Sequence, residues 1–221
     1  MIQYNKNASL LTIDNPNKDN LEPKLLTKCP LLLQHNQHNQ QIQHNQPIHL
    51  TIEQMDKQIP GYILNEKGTM ISLHQLQLSD KISITKQKQM VTDYHLTDRL
   101  SKIFDLVTTV FSCCKEYSLS IYRGEYRSEL MKNYRERLLI SPLLGSFTVY
   151  IFNPKHEKDI KGLDTQVIKK WGIKQIIHTG QALYIPTEWY YFYETTNEDC
   201  LLAHMECDSY STVVYNYLRK K

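Results

Sequence analysis

The sequence predicts a mainly β, α+β protein: a sandwich or barrel of short strands with helices on its flanks. Two observations predict it. Beyond Tyr117 the chain breaks into short apolar, β-branched and aromatic runs, each stopped by a turn residue. Before that point one stretch carries a helical repeat instead. A chain of 221 residues, 41% hydrophobic and 22% charged, has enough apolar surface for one domain with its own core.

Taken in order, residues 1–90 form an N-terminal region with weak pattern. Gln34–Gln46 (QHNQHNQQIQHNQ) is low complexity. Its His35, His38 and His44 are metal-ligand types, but a Gln/Asn/His tract holds no side chain rigid, so a surface insertion is the expectation. Ile48–Gln54 alternates apolar and polar residues and predicts a strand. Ile59, Pro60 and Gly61 signal a turn. Within 69–90, Leu76 with Leu78 and Ile82 with Ile84 alternate in the manner of strands.

From residue 91 to the end the pattern strengthens. Leu96, Leu100, Ile103, Phe104, Val107, Phe111 and Cys114 share a helical face and predict a helix over 96–114, started by Thr92, Asp93 or Thr97. Strands are predicted at 118–122, 147–152, 173–179, 182–185, 190–194 and 200–206. Residues 211–218 (STVVYNYL) fit a strand or a short helix. The mixed-charge run 132–139 (KNYRERLL), with Lys132, Arg135 and Arg137 beside Tyr134, reads as an exposed loop or helix face.

Composition narrows the function class. A net charge of +3 without a basic stripe argues against nucleic acid, and the basic end Arg219–Lys221 reads as solubilising. The five cysteines (29, 113, 114, 200, 207) follow no disulfide or zinc spacing, which fits a reducing compartment. No signal-peptide pattern opens the chain, and no stretch approaches the ~18 apolar residues of a membrane span. The expectation is a soluble intracellular protein. The Asn-, Ile-, Lys- and Tyr-rich usage suits an AT-biased genome, such as that of a large DNA virus or some protists, with host cytoplasm or virion as the location if the source is viral. The glycines form no phosphate loop, and no nucleophile elbow exists. His95 and His156 read as surface residues.

One segment carries a family likeness. GQALYIPTEWYYFYE (180–194) resembles the G-D-x-L-Y-I-P-x-x-W-W-H segment of the cupin-like JmjC family, through Gly180, Leu183, Tyr184, Ile185, Pro186 and Trp189. Gly180 permits a tight entry turn, Leu183 and Ile185 alternate with Tyr184, Pro186 ends the strand, and Trp189 offers a large apolar face at a barrel mouth. More loosely, 118–124 and 143–154 follow the family's order. The resemblance covers about the C-terminal half. It implies a double-stranded β-helix over 91–221 and, in active members, an iron(II)- and 2-oxoglutarate-dependent hydroxylase or demethylase.

The resemblance also marks where the ligands should be. The family's second histidine, five positions after the proline, falls on Tyr191. Its histidine-x-aspartate pair falls on Met131 and Asn133, and its 2-oxoglutarate lysine falls near Phe147. Methionine and asparagine are poor iron(II) ligands here, and phenylalanine forms no salt bridge. The first expectation is therefore a catalytically inactive protein without cofactor. Its barrel mouth, lined by Tyr184, Trp189, Tyr191 and Tyr193, would bind a protein or small molecule. The second is an active oxygenase using iron(II) and 2-oxoglutarate, with relocated ligands His178, His204 and Glu206; the last two lie on one face of a strand. Set against it, a histidine and glutamate on a solvent-facing strand side are ordinary. The third is a structural or assembly protein whose aromatics only fill a core.

Overall fold

A computed structural model describes residues 9–34, 50–66, 68–196 and 198–219. The histidines of the low-complexity tract (His35, His38, His44), Lys220 and Lys221 lie outside the described residues. The N-terminal region gives β1 (Leu11–Asp14), α1 (Lys18–Leu25), β2 (Leu31–Gln34), α2 (Ile52–Gln58), a hairpin of β3 (Ile63–Glu66) and β4 (Thr69–Ser72), α3 (Leu73–Leu78), β5 (Ile82–Gln87) and α4 (Lys88–Asp93). After α5 (Thr97–Phe104) come β6 (Ser112–Arg123), β7 (Tyr126–Arg127), β8 (Met131–Lys132), β9 (Arg137–Leu144) and β10 (Ser146–Phe152). Two short helices follow, α6 (Glu157–Ile160) and α7 (Thr165–Ile168). The chain ends with β11 (Ile173–His178), β12 (Gln181–Pro186), β13 (Tyr190–Thr195), β14 (Cys200–Ser209) and α8 (Tyr210–Arg219).

The strands build two main sheets. A seven-stranded sheet runs β1-β2-β12-β9-β14-β6-β5, and a second runs β11-β10-β13-β7, with β8 also on β13. Among the described residues, only β1 and β2 pair in parallel; the other pairings are antiparallel. The sheets face each other. Leu138, Ile140, Leu183 and Leu202 of the large sheet pack with Val149, Ile151, Ile177 and Tyr191 of the small one. The other face of the large sheet (Leu119, Leu139, Met205) is covered by α1 to α5 through Leu21, Met55 and Phe104. The outer face of the small sheet (Phe152, Phe192) is covered by Ile160 and Ile168 of α6 and α7. Strands covered on both faces have no polar side. This is why β13 and β14 read as runs such as YYFY and CLLA instead of clean alternation.

Three expectations are corrected. Residues 50–54 are not a strand: Thr51 starts α2 with a capping box. Its Oγ1 accepts from the Gln54 N–H (3.1 Å), and its own N–H donates to Gln54 Oε1 (2.9 Å). Leu76 and Leu78 lie in α3, begun by the same device at Ser72 and Gln75. The helix expected over 96–114 stops at Phe104, and neither Thr92 nor Asp93 caps it, because both lie in α4. Beyond Val107 the chain turns out of the helix into β6, where Ser112 and Cys113 pair with Ser209 and Asp208. Strand pairing over twelve residues outweighs a helical repeat that β-branched Thr108, Thr109 and Val110 already weaken. The six predicted strands after Tyr117 all appear, and 211–218 is helix. The division expected at residue 90 runs through a shared sheet, since β2 pairs with β12 and β5 with β6.

Gly145 marks the tightest corner. It joins β9 to β10 with φ +70°, and a Cβ there would collide with the Asp199 carbonyl. Gly180, at φ +90°, makes the entry turn to β12.

Candidate functional site

The polar interior lies between the sheets, toward the end where β8, β12 and β13 meet. Met131 pairs across from Tyr191, and Lys132 from Tyr190. Asn133 follows at once. Its backbone N–H donates to the Trp189 carbonyl (2.8 Å), and its carbonyl accepts from the Glu188 N–H (2.7 Å). Its side-chain Nδ2 donates to the Ile185 carbonyl (2.8 Å), while Oδ1 accepts from the Arg135 N–H (2.9 Å). Asn133 is thus a clasp on the turn after Pro186. Glu188 in that turn takes φ 69°, a conformation such a clasp can hold. The three positions marked by the family resemblance lie side by side. One is a thioether, one a buried phenol and one an amide spent on backbone.

Tyr191 and Tyr193 point into the space between the sheets; each is 4% exposed. The Tyr193 hydroxyl hydrogen-bonds that of Tyr122 (2.6 Å), and its ring packs edge-on to Phe147 (5.8 Å). Phe147, near which the resemblance would put the family's lysine, is buried. Burial pushes the Tyr191 phenol up, and the nearby Glu206 carboxylate adds to it, so this oxygen stays protonated. Trp189, 1% exposed, joins the same core and donates from Nε1 to the Lys28 carbonyl (3.1 Å). Tyr184 does not join them. It faces the helices on the other side of the large sheet, where its hydroxyl accepts from Arg137 (3.2 Å).

His204 and Glu206 share the inward face of β14, which corrects the solvent-facing reading. His204 is 2% exposed. Its Nε2 lies 3.1 Å from Ser120 Oγ, and Nδ1 has no hydrogen-bond partner among the described residues. Ser120 Oγ also accepts from the Lys86 N–H (2.9 Å). Burial first, then the Lys86 charge, pushes the His204 pKa down to about 3, so the ring is neutral. Burial works against the Glu206 charge, but Lys86 (2.5 Å) and Arg135 (3.1 Å) outweigh it and hold the carboxyl below its ordinary range.

His178 is elsewhere. It sits exposed at the end of β11 opposite Ser146, in the small sheet. Among the described residues no three His, Cys, Asp or Glu side chains converge as a metal-binding group, so His178, His204 and Glu206 are not brought together. A carboxylate already held by two cations is a poor place for a third.

The run 132–139 is not an exposed face. The Lys132 side chain is 7% exposed and pairs with Glu188 (2.7 Å). Arg135 reaches Asp208 (2.9 Å), Glu206 (3.1 Å) and Glu116 (3.2 Å), and Lys88 pairs with Glu116 (2.7 Å). This net closes the end of the interior. Sequence reasoning missed it because its pairs join residues 19 to 73 positions apart and nothing local couples them. Only the inward set Ser118, Ser120 and Tyr122 carried a signal, through the period-two alternation of β6.

The net makes a prediction. Arg135→Ala leaves Asp208 and Glu206, with side chains 4% and 13% exposed, short of a cation. Urea unfolding at pH 7.5 is expected to show a loss of about 2 kcal/mol, below the full buried-pair value because Arg135 is itself partly exposed. A loss under ~0.5 kcal/mol, the worth of a surface ion pair, would contradict this role.

No family model and no curated protein matches this sequence. No helix among the described residues is long and apolar enough to cross a membrane.

Proposed function

We propose that the chain is a cupin/JmjC-like double-stranded β-helix without oxygenase chemistry, acting as a binding or scaffold protein. The observation that carries this reading is the placement of Met131 opposite Tyr191, with Asn133 clasped beside them. The strand order supports the fold assignment. From β6 to β14 the chain winds between the sheets, giving orders β12-β9-β14-β6 and β11-β10-β13-β7. That winding puts β8 beside the start of β13, where the resemblance would have the ligands.

The residues present do not fit iron(II) or 2-oxoglutarate. Asn133 has no free donor set, the phenol of Tyr191 is held neutral, and Phe147 offers no charge to a carboxylate. Trp189, Tyr191 and Tyr193 are almost wholly buried and pack on one another's neighbours. A mouth filled in this way favours recognition through the outer surface, so a protein partner fits better than a small molecule held inside. This joins the scaffold reading to the assembly reading.

Calorimetric titration with iron(II) and 2-oxoglutarate under argon tests it. The wild-type chain is expected to bind neither stoichiometrically. The triple variant Met131→His, Asn133→Asp, Tyr191→His, if folded by circular dichroism, is expected to gain metal affinity. Wild-type protein that holds one iron per chain and decarboxylates 2-oxoglutarate would overturn the proposal.

A further inference from the structure

We propose that Cys113 and Cys114 form a redox modification site, a pair of neighbouring thiols that a peroxide converts to a disulfide between them. Successive residues of a regular strand point to opposite faces of the sheet, so two cysteines in a row do not ordinarily meet. Here the regular strand is interrupted. In the pairing of β6 with β14, Glu116 lies opposite Glu206 and Cys113 opposite Asp208, so Cys114 and Lys115 together face the single residue Cys207. That is a β-bulge, and Cys114 takes φ 52° in it, the left-handed conformation that glycine favours at such a place. The two thiols meet there: partial burial first, and then a hydrogen bond to the Cys114 thiol, push the Cys113 thiol up.

Access singles this pair out. Cys29, Cys200 and Cys207 are 3%, 1% and 0% exposed, and burial pushes the last two up, to about 12 and about 11. An oxidant that reaches the folded chain meets Cys114, which is exposed, with half-buried Cys113 beside it. An accessible thiol next to a second thiol that can resolve its oxidised form is the arrangement of a peroxide-sensitive pair.

The chemistry balances in two steps. Cys114 loses its proton to solvent, and the thiolate sulfur attacks one peroxide oxygen. The O–O bond breaks, Cys114 becomes a sulfenic acid, and the departing hydroxide takes up a proton as water. The Cys113 sulfur then attacks the Cys114 sulfur. The S–O bond breaks, and the second hydroxide leaves as water with the Cys113 proton. Two thiols lose two electrons, and one peroxide is reduced to two waters. The new bridge spans a single trans peptide unit, whose Cα atoms lie ~3.8 Å apart, short of the ~4.4–6.8 Å of ordinary disulfides. A bridge strained in this way is readily reduced, so small thiols reopen it. The pair is a reversible site and not a structural staple.

Peptide mapping by mass spectrometry tests this on the full chain, treated with hydrogen peroxide while folded and then alkylated in denaturant. The peptide that carries Cys113 and Cys114 is expected to escape alkylation and to be ~2 Da lighter than its dithiol form, with dithiothreitol restoring both thiols. Cys29, Cys200 and Cys207 are expected to stay reduced. Cys114→Gly, which suits φ 52°, is expected to keep the fold and abolish the lighter peptide. Cys113→Ser is expected to leave the Cys114 sulfenic acid unresolved, so that dimedone captures it in this variant and not in the wild type. A treated wild-type chain in which both thiols still alkylate, or go on to sulfinic acids without a bridge, overturns the proposal. So does a bridge that joins two chains or involves another cysteine.

Discussion

Acidified from pH 7.5, the protein is expected to lose stability from about pH 6.5 downward, above the range in which its carboxylates titrate. His204 is the cause. It lies between the sheets, 2% exposed, with Ser120 on one nitrogen and no partner on the other among the described residues. The groups facing it are the Tyr193 ring (6.3 Å between centroids), the Lys86 charge and the Glu206 carboxylate. Burial and Lys86 disfavour the imidazolium, Glu206 opposes them, and the folded pKa falls from 6.5 to about 3. The unfolded chain takes up a proton near 6.5 that the folded chain refuses until about 3. The unfolded state therefore binds more protons across that window. Folding free energy is complete above 6.5 and declines by up to ~1.4 kcal/mol per pH unit as the pH falls. Even two units of such decline are a large part of a marginal total of about 5–15 kcal/mol.

Denaturant midpoints at pH 7.5, 6.5, 5.5 and 4.5 measure this. In His204→Gln the decline between 6.5 and 4.5 is expected to vanish; equal slopes in both proteins would refute the assignment. A second limb should remain in both. Lys88 first among its causes lowers the Glu116 pKa, and Lys86 and Arg135 lower that of Glu206. Their stabilisation is present above the ordinary value of 4.5 and is lost as the pH falls through the lowered ones.

The same residues show what a sequence reader sees and misses here. The six strands after Tyr117 were legible because a turn residue or polar break follows each, and Gly180 and Pro186 bracket β12 in the way their backbone limits require. The end of α5 was not legible. Helical spacing through Val107, Phe111 and Cys114 continues on paper, but the partner that decides the matter, β14, lies some ninety residues later. The capping boxes at Thr51 and Ser72 stand in the sequence as T-x-x-Q and S-x-x-Q, but the alternation of neighbouring isoleucines and leucines is a competing strand signal. In the candidate site, the expectation that Met131, Asn133 and Tyr191 lie together rests on two separate stretches, 131–133 and 180–194, and β8 and β13 do pair there. The facing of Tyr184 was also available, since alternation places it opposite Leu183 and Ile185. The clasp of Asn133 and the three carboxylates around Arg135 have no local signature, because each bond joins residues that only the closed sheets bring together.

The second large effect is expected at Trp189. In an oxygenase-like mouth this side chain would be a binding surface; here it is a strut. Its ring is 1% exposed in the core between the sheets, and its indole N–H donates to the Lys28 carbonyl (3.1 Å), in the turn between α1 and β2. Its own carbonyl accepts from Asn133 N–H (2.8 Å). Trp189 therefore joins the N-terminal strands to the turn after Pro186. Trp189→Ala removes a large buried ring and orphans the Lys28 carbonyl, so a loss of about 3–5 kcal/mol is expected. Trp189→Phe keeps much of the ring and loses the N–H, so the added cost of the missing bond is about 1 kcal/mol, on top of a smaller cavity. Urea unfolding followed by far-ultraviolet circular dichroism is expected to rank wild type, Trp189→Phe and Trp189→Ala in falling order. If Trp189→Ala costs less than about 1 kcal/mol, the ring is not packed as described. The proposal that the aromatics leave no room for a small molecule between the sheets would then fail.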